Sequence, residues 1–315
     1  MEMAPHVNND LTPPNPQSLI YVGDANVMLH QLPVRKFNLI ITSPPYNIGK
    51  EYEERKPLQD YLRDQEDVIS QLADMLSETG SLCWQVGNMI DEATKEVFPL
   101  DIFYYQMFKD QGLILRNRII WRFGHGLHAS SRFSGRYEVI LWFSKSGDYV
   151  FNLDDVRIPS KYPGKRHYKG PNKGNLSGNP RGKNPSDIWT ILLQEWEEEV
   201  WDVPNVKANH VEKTDHPCQY PIELIERCIL ALTNENDWIL DPFAGVGSTL
   251  LAAFKNNRNA IGIEMHQKYV NTALERLDAL RSGTLKHRPL GKPIYDHRKS
   301  KLSEVPEEFA NHESS

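Results

Sequence analysis

The sequence predicts an α/β fold, a sheet covered by helices on both faces. Short apolar runs recur along the chain at 19–22, 37–41, 81–86, 139–143, 238–240 and 260–263, and runs without polar alternation suit strands buried on both sides. Helical patterns lie between them at 60–77, where Leu62, Val68, Ile69, Leu72, Met75 and Leu76 share one face, and at 221–232 and 248–256. Pro221 is expected at the first helical position, where its missing amide costs nothing. A chain of 315 residues, 39% hydrophobic and 10% aromatic, can fill the core such a sheet needs.

The composition excludes several classes. No run approaches the roughly 20 apolar residues that cross a bilayer, and Met1 to His6 lacks a basic or apolar export signal. Cys83, Cys218 and Cys228 show no CxxC spacing, so neither a disulfide framework nor a zinc site is expected. The expected location is the cytoplasm. Residues 1–17, with Pro5, Pro13, Pro14 and Pro16, read as a flexible leader, and 286–315 as a polar tail. The folded domain is therefore expected over 18–285.

The net charge, 36 basic against 42 acidic residues or −6, hides an asymmetry. Arg157, Lys161, Lys165, Arg166, Lys169, Lys173, Arg181 and Lys183 lie in a 27-residue span without one Asp or Glu. Five glycines and four prolines in the same span predict a long mobile loop, and Tyr162, His167 and Tyr168 interleave its charges. A polyanion such as DNA is the expected partner of this stretch, with phosphates setting affinity and a subset of side chains reading bases. Because Arg and Lys commonly read guanine, a site containing G·C is expected. His125, His128 and Arg132 border the same groove on this reading, although a structural role fits them equally. The acidic run Glu195, Glu197, Glu198 and Glu199 reads as an exposed helix face rather than a metal site.

Two segments carry chemistry. The first is Asp241-Pro242-Phe243-Ala244-Gly245-Val246-Gly247-Ser248-Thr249, a strand, a tight glycine turn and a helix start. A second strand ends in Glu264, near the offset at which a carboxylate meets ribose hydroxyls. An acidic residue opening the turn repels a pyrophosphate and suits a cationic ligand, so S-adenosylmethionine fits better than a nicotinamide cofactor. The second segment, Thr42-Ser43-Pro44-Pro45-Tyr46, follows the strand at 37–41. The prolines stiffen the loop and lack competing amide donors. An exocyclic amino group on a nucleobase is a poor nucleophile. If Ser43 Oγ and the Pro44 carbonyl accept its N–H bonds, its lone pair turns toward an electrophile, and in-line attack on a sulfonium methyl follows from positioning and fixed dipoles. Tyr46 offers a face on which a flipped base can stack. No dedicated base is evident, so the product proton is expected to leave to water.

Together these residues resemble the amino-methylating DNA methyltransferases of bacterial restriction-modification systems and related orphan enzymes. Residues 241–249 resemble their cofactor motif and 43–46 their catalytic motif. The order, catalytic before cofactor with a basic region between, resembles that of the β group. Over about residues 18–280 the resemblance implies a circularly permuted Rossmann-like methyltransferase fold, with an inserted target-recognition region at about 145–212. Looser matches are Tyr21-Val22-Gly23-Asp24, the stretch from Trp121 to Glu138, and His216-Pro217-Cys218-Gln219-Tyr220-Pro221, where Tyr220 replaces a frequent Lys. The implied cofactor contacts are Asp24, Asp241, Phe243, Gly245, Gly247, Thr249 and Glu264. The serine form of the catalytic motif is associated with N4-cytosine members, whereas N6-adenine members more often carry Asp or Asn at that position. The implied substrate is double-stranded DNA. A separate restriction endonuclease and a homodimer are both compatible with the resemblance, and the residues decide neither.

Three rival readings meet specific obstacles. Cys218 resembles the nucleophile of carbon-5 cytosine methyltransferases but precedes the cofactor motif, and reads better as a small packing residue. A nicotinamide-dependent oxidoreductase predicts a third glycine after Gly247, where Ser248-Thr249 stands. A non-catalytic nucleic-acid-binding protein accounts for the basic loop alone.

Overall fold

The computed structural model describes residues 16–32, 36–51, 53–122, 129–160, 162–190, 206, 211–216 and 218–289. The leader up to residue 15, Lys161, His125, His128, Pro217, the Glu195 to Glu199 run and the tail from 290 lie outside the described residues.

The chain runs β1 (Ser18–Val22), α1 (Ala25–Leu29), β2 (Phe37–Thr42), α2 (Leu58–Met75), β3 (Leu76–Val86), β4 (Asn88–Ile90), β5 (Val97–Pro99) and α3 (Leu100–Asp110). It continues with β6 (Ile114–Arg122), β7 (Tyr137–Ser144), α4 (Leu153–Val156), β8 (Ile188–Thr190), α5 (Ile222–Leu232), β9 (Trp238–Asp241), α6 (Ser248–Lys255), β10 (Asn259–Glu264) and α7 (Gln267–Arg281). One sheet of eight strands has the order β1-β10-β9-β2-β3-β7-β6-β8. The strands from β1 to β3 are parallel to their neighbours, and β7 runs antiparallel to both β3 and β6.

Successive strand residues serve opposite faces, as the two-residue period of a strand requires. Leu39, Ile41 and Ile239 pack with α5, α6 and α7, whereas Ile40 and Leu240 pack with α1, α2 and α3, joined there by Phe37 because the register of β2 shifts between Phe37 and Leu39. On the second face Trp84 meets the rings of Tyr104, Phe108 and Phe243 at centroid distances of 5.5, 5.4 and 6.2 Å. Burying an aromatic of this size contributes on the order of 2–3 kcal/mol.

Three features depart from the sequence reading. Pro221 precedes α5 as its cap, with ψ 146° in the extended region, rather than occupying the first turn. The basic segment holds no helix or strand among its described residues, yet it is pinned by bridges between Ile158 and Lys183 and between Arg166 and Leu176. Gly182 makes the first crossing possible: its φ is +103°, and a Cβ there would lie 2.1 Å from the Ile158 carbonyl oxygen. Finally, β8 comes from within the expected insertion and pairs with β6, so that region extends the main sheet.

Candidate active site

A cavity of about 300 Å³ opens at the carboxyl ends of β1, β2, β9 and β10, where open parallel sheets place their ligands. Ser43, Pro44, Pro45 and Tyr46 line it together with Asp24, Phe243, Gly245 and Glu264. The two distant motifs therefore meet in one site.

The loop after β2 is held from below. Asn47 adopts the left-handed region at φ 58°, where Asn is tolerated better than most residues. Its amide oxygen accepts from Lys56 N at 2.7 Å, and Glu53 accepts from the backbone amides of Asn47 and Ile48. Tyr61 donates to the Pro45 carbonyl at 2.8 Å. Of the two proline carbonyls, Pro45's is thus engaged, while Pro44's accepts no hydrogen bond among the described residues. The donor to Pro45 comes from sixteen residues away, not from within the loop.

Ser43 Oγ lies 3.0 Å from the Tyr46 hydroxyl, which donates to Glu138 Oε2 at 3.2 Å. Gln85 Nε2 donates to the same carboxylate oxygen at 2.7 Å. Gln85 and Glu138 both line the cavity. Burial pushes the Glu138 carboxyl above its usual range, against the lowering effect of its bonds from Gln85 and Tyr46. Burial, followed by the neighbouring Glu138 charge, drives the Tyr46 phenol well above its ordinary value. Sequence reasoning missed both partners. The only signals were polar residues at the cavity ends of otherwise apolar strands.

On the cofactor side, the structure separates the predicted contacts into two groups. Phe243, Gly245, Asp24 and Glu264 line the cavity. Glu264 accepts from Gly245 N at 3.0 Å and from His266 N at 2.8 Å, so the turn and the end of β10 fix its two oxygens. Burial raises its carboxyl above the usual range, partly offset by those amides.

Asp241, Gly247 and Thr249 are buried and are not among the residues that line the cavity. The Asp241 side chain is wholly buried. Its Oδ1 accepts from Thr42 Oγ1 at 2.6 Å and from Phe243 N at 3.1 Å, and its Oδ2 from Tyr220 OH at 2.7 Å and Thr249 Oγ1 at 2.5 Å. Burial raises its carboxyl, and the hydroxyls of Thr249, Thr42 and Tyr220 work against that shift. Gly247 caps α6 at φ 78°, and its close approach is to α7: a Cβ would meet that of Ala273 at 2.9 Å.

Asp24, Glu138 and Glu264 contribute carboxylates to the lining, and no Lys or Arg is among the described lining residues. His216, beside Gly245, is pushed down to about 4 by burial and then by the positive charges of Lys213, His266 and Arg276. It is therefore neutral at physiological pH. The cavity is suited to a cation.

The basic segment is divided as well. Arg157 donates to Asp154 at 2.6 Å and to the Gly182 carbonyl at 3.1 Å, closing the loop's base. Arg181 also reaches Asp154, Arg166 donates to the Gly174 carbonyl, and Lys183 sits in the bridge with Ile158. Lys165, Lys169 and Lys173 are exposed. Arg132 lies in the exposed β6–β7 connection beside a fully exposed Phe133.

The model of a DNA methylase family, the N6/N4 methyltransferases, matches residues 37–275. This chain belongs to that family. The type II methyltransferase M.BglII of Bacillus subtilis is 45% identical over 258 residues, 82% of this chain and 68% of the relative. The DNA adenine methyltransferase YhdJ of Escherichia coli (strain K12) is 30% identical, over 84% of both chains. Among solved structures, TTHA0409 of Thermus thermophilus in complex with S-adenosyl-L-methionine has a TM-score of 0.56 at 25% identity, covering 85% of this chain and 97% of that one. The cytosine-N4-specific PvuII DNA methyltransferase shares the fold, with a TM-score of 0.61 at 18% identity over 88% and 95% of the two chains.

The methyltransferase thus has the permuted Rossmann-like fold of S-adenosylmethionine-dependent enzymes and acts on DNA. Its lining fits that cofactor: Asp24 and Glu264 supply negative charge, Phe243 an apolar surface, and Gly245 a turn without a side chain. No helix among the described residues is long and apolar enough to cross a membrane.

Proposed function

We propose that this methyltransferase modifies the exocyclic N4-amino group of cytosine in double-stranded DNA, after the base is flipped from the duplex. The observation that carries the reading is that Ser43 and Pro44 line the same cavity as Glu264 and Gly245, with no hydrogen bond to the Pro44 carbonyl among the described residues. The methyl donor would be held by Asp24, Phe243, Gly245 and Glu264, and supplies an electrophilic carbon when bound. The chain's own residues do the rest. Ser43 Oγ and Pro44 O accept the two amino protons, the nitrogen lone pair turns toward the donor side, and Tyr46 borders the base. The rate enhancement comes from positioning and fixed dipoles, without a covalent enzyme intermediate.

A serine hydroxyl at this position supports cytosine as the target. The similarity to an adenine methyltransferase, at 30% identity, favours N6-adenine as the second reading. The region at about 145–212 is proposed to read the DNA sequence. Lys165, Lys169 and Lys173 supply phosphate contacts, together with the more engaged Arg157, Arg166, Arg181 and Lys183 of the same span. Nucleoside mass spectrometry on DNA methylated by the purified enzyme tests the reading: N4-methylcytosine, absent with Ser43→Ala, is expected. N6-methyladenine as the product would replace it by the second reading.

A further inference from the structure

We infer that Glu138 is a positioning residue for methyl transfer: it sets the direction of the Tyr46–Ser43 hydroxyl chain and receives the proton that the amino group sheds. The inference rests on the reading that an exocyclic amino group is the acceptor, whichever base carries it.

The argument is one of hydrogen-bond polarity. An ionised carboxylate only accepts. Glu138 Oε2 takes donors from Tyr46 at 3.2 Å and from Gln85 at 2.7 Å, and Gln85's amide nitrogen can act only as a donor there. With its single proton committed to Glu138, the Tyr46 oxygen can meet Ser43 Oγ, 3.0 Å away, only as an acceptor. The serine proton is therefore spent on Tyr46, and its lone pairs remain for the cavity. An amino N–H needs such an acceptor. A protonated Glu138 could instead donate to Tyr46, releasing the tyrosine proton toward Ser43 and turning the serine proton into the cavity, against the amino group. The position of a burial-raised carboxyl at this point in the chain agrees with that role.

The same chain gives the proton a route. The amino nitrogen forms its bond to the methyl carbon as the carbon–sulfur bond breaks, with that electron pair staying on sulfur. The nitrogen, now carrying a formal positive charge, releases one proton to Ser43 Oγ. The serine proton passes to Tyr46 and the tyrosine proton to Glu138 Oε2. Glu138 ends neutral and returns its proton to solvent at the open side of the cavity. The groups facing Glu138 are Tyr46 and the neutral Gln85, with Cys218 close enough to act on Tyr46.

The experiment is single-turnover methylation of duplex DNA across a pH series, with cofactor and DNA affinities measured for each variant. Labelled S-adenosylmethionine and DNA are held saturating at every pH, so that acid weakening of cofactor binding through Glu264 does not enter the rate. Wild type should lose activity on the acid side. Glu138→Gln should be slower by about 10²-fold or more, lack that acid limb and keep its cofactor affinity, and Glu138→Asp should recover part of the rate. The double variant Tyr46→Phe with Glu138→Gln should be no slower than Tyr46→Phe alone, because one break already opens the chain. A Glu138→Gln enzyme with the wild-type rate and pH profile overturns the inference, as do losses that multiply in the double variant. If Glu138→Gln fails to fold by thermal melting, Tyr46→Phe decides: an acid limb retained in that variant overturns the inference, and its loss supports it. The methylated nucleoside is identified in the same reactions. Ring-carbon methylation sinks the amino-transfer reading, whereas amino methylation indifferent to Glu138 sinks this inference alone.

Discussion

Thr42 Oγ1 donates a 2.6 Å hydrogen bond to Asp241 Oδ1, joining residues 199 apart in the chain. The bond ties the end of the strand that launches the Ser43 loop to the strand that launches the glycine turn. The acidic residue of the turn therefore acts as a buried clamp between catalytic and cofactor walls.

Removing one arm of the clamp should weaken the fold. Thr42→Val keeps the shape but leaves a buried carboxylate short of one donor, a loss of about 1.5–3 kcal/mol in urea unfolding. Asp241 has a folded pKa above its unfolded one, so the stability it contributes is full in acid and is lost as pH rises through the folded value. The Thr42→Val deficit should accordingly be larger at pH 7 than in acid, where a protonated Asp241 needs fewer donors.

Ser43→Ala should separate binding from chemistry. Single-turnover methylation is expected to fall by about 10²–10³-fold, the range for loss of one well-placed polar group. Equilibrium binding of S-adenosylmethionine should change less than twofold.

Cofactor affinity should depend on pH through Glu264. Its carboxyl is raised by burial, and the ionised form attracts the cation. Affinity should therefore fall as the medium is acidified through that raised range. Glu264→Gln should bind about 10–100-fold more weakly, the equivalent of one charge-assisted hydrogen bond, with a flat profile over the same range. Calorimetric titration at several pH values checks both.

His216 makes the opposite demand on stability. Its folded pKa, about 4, lies below the ordinary value of 6.5, so its contribution is present above 6.5 and is lost as pH falls toward 4. The loss is at most ~3 kcal/mol. Thermal melting of wild type should steepen over that interval, and His216→Gln should flatten it.

Replacing Lys165, Lys169 and Lys173 together with alanine should weaken DNA binding while sparing cofactor binding. Each neutralised phosphate adds about 0.9 to the salt slope, so the slope of log K against log salt should be shallower by up to about 3 in the triple variant.

The central strands were legible because burial on both faces leaves an apolar signature that no neighbour can disguise, as in 37–41 and 238–240. The strand β6 was not, because Arg116, Asn117 and Arg118 interrupt it: Arg116 finds Ser144 and Arg118 finds Asp101, partners remote in sequence. The helix α3 hid behind Phe103, Tyr104 and Tyr105, whose rings favour strands until packing against Trp84 decides otherwise. In the site, Ser43, Tyr46, Gly245 and Glu264 could be placed from local motifs. The buried position of Asp241, and the parts played by Tyr220, Gln85 and Glu138, depend on which strands become neighbours, and no local pattern encodes that.

The adjacency of β2 and β9 also governs when activity can arise during synthesis. On the ribosome, Thr42 emerges 199 residues before its acceptor, a delay of about 10–40 s at ordinary bacterial elongation rates. Until β9 pairs with β2, and β10 then joins β9 to β1, the nascent chain lacks the two strands that link β1 to the rest of the sheet. A product terminated before them would carry the serine loop with nothing to hold the methyl donor beside it. Genomic bases are thus out of reach of any translation product that ends before the glycine turn and Glu264.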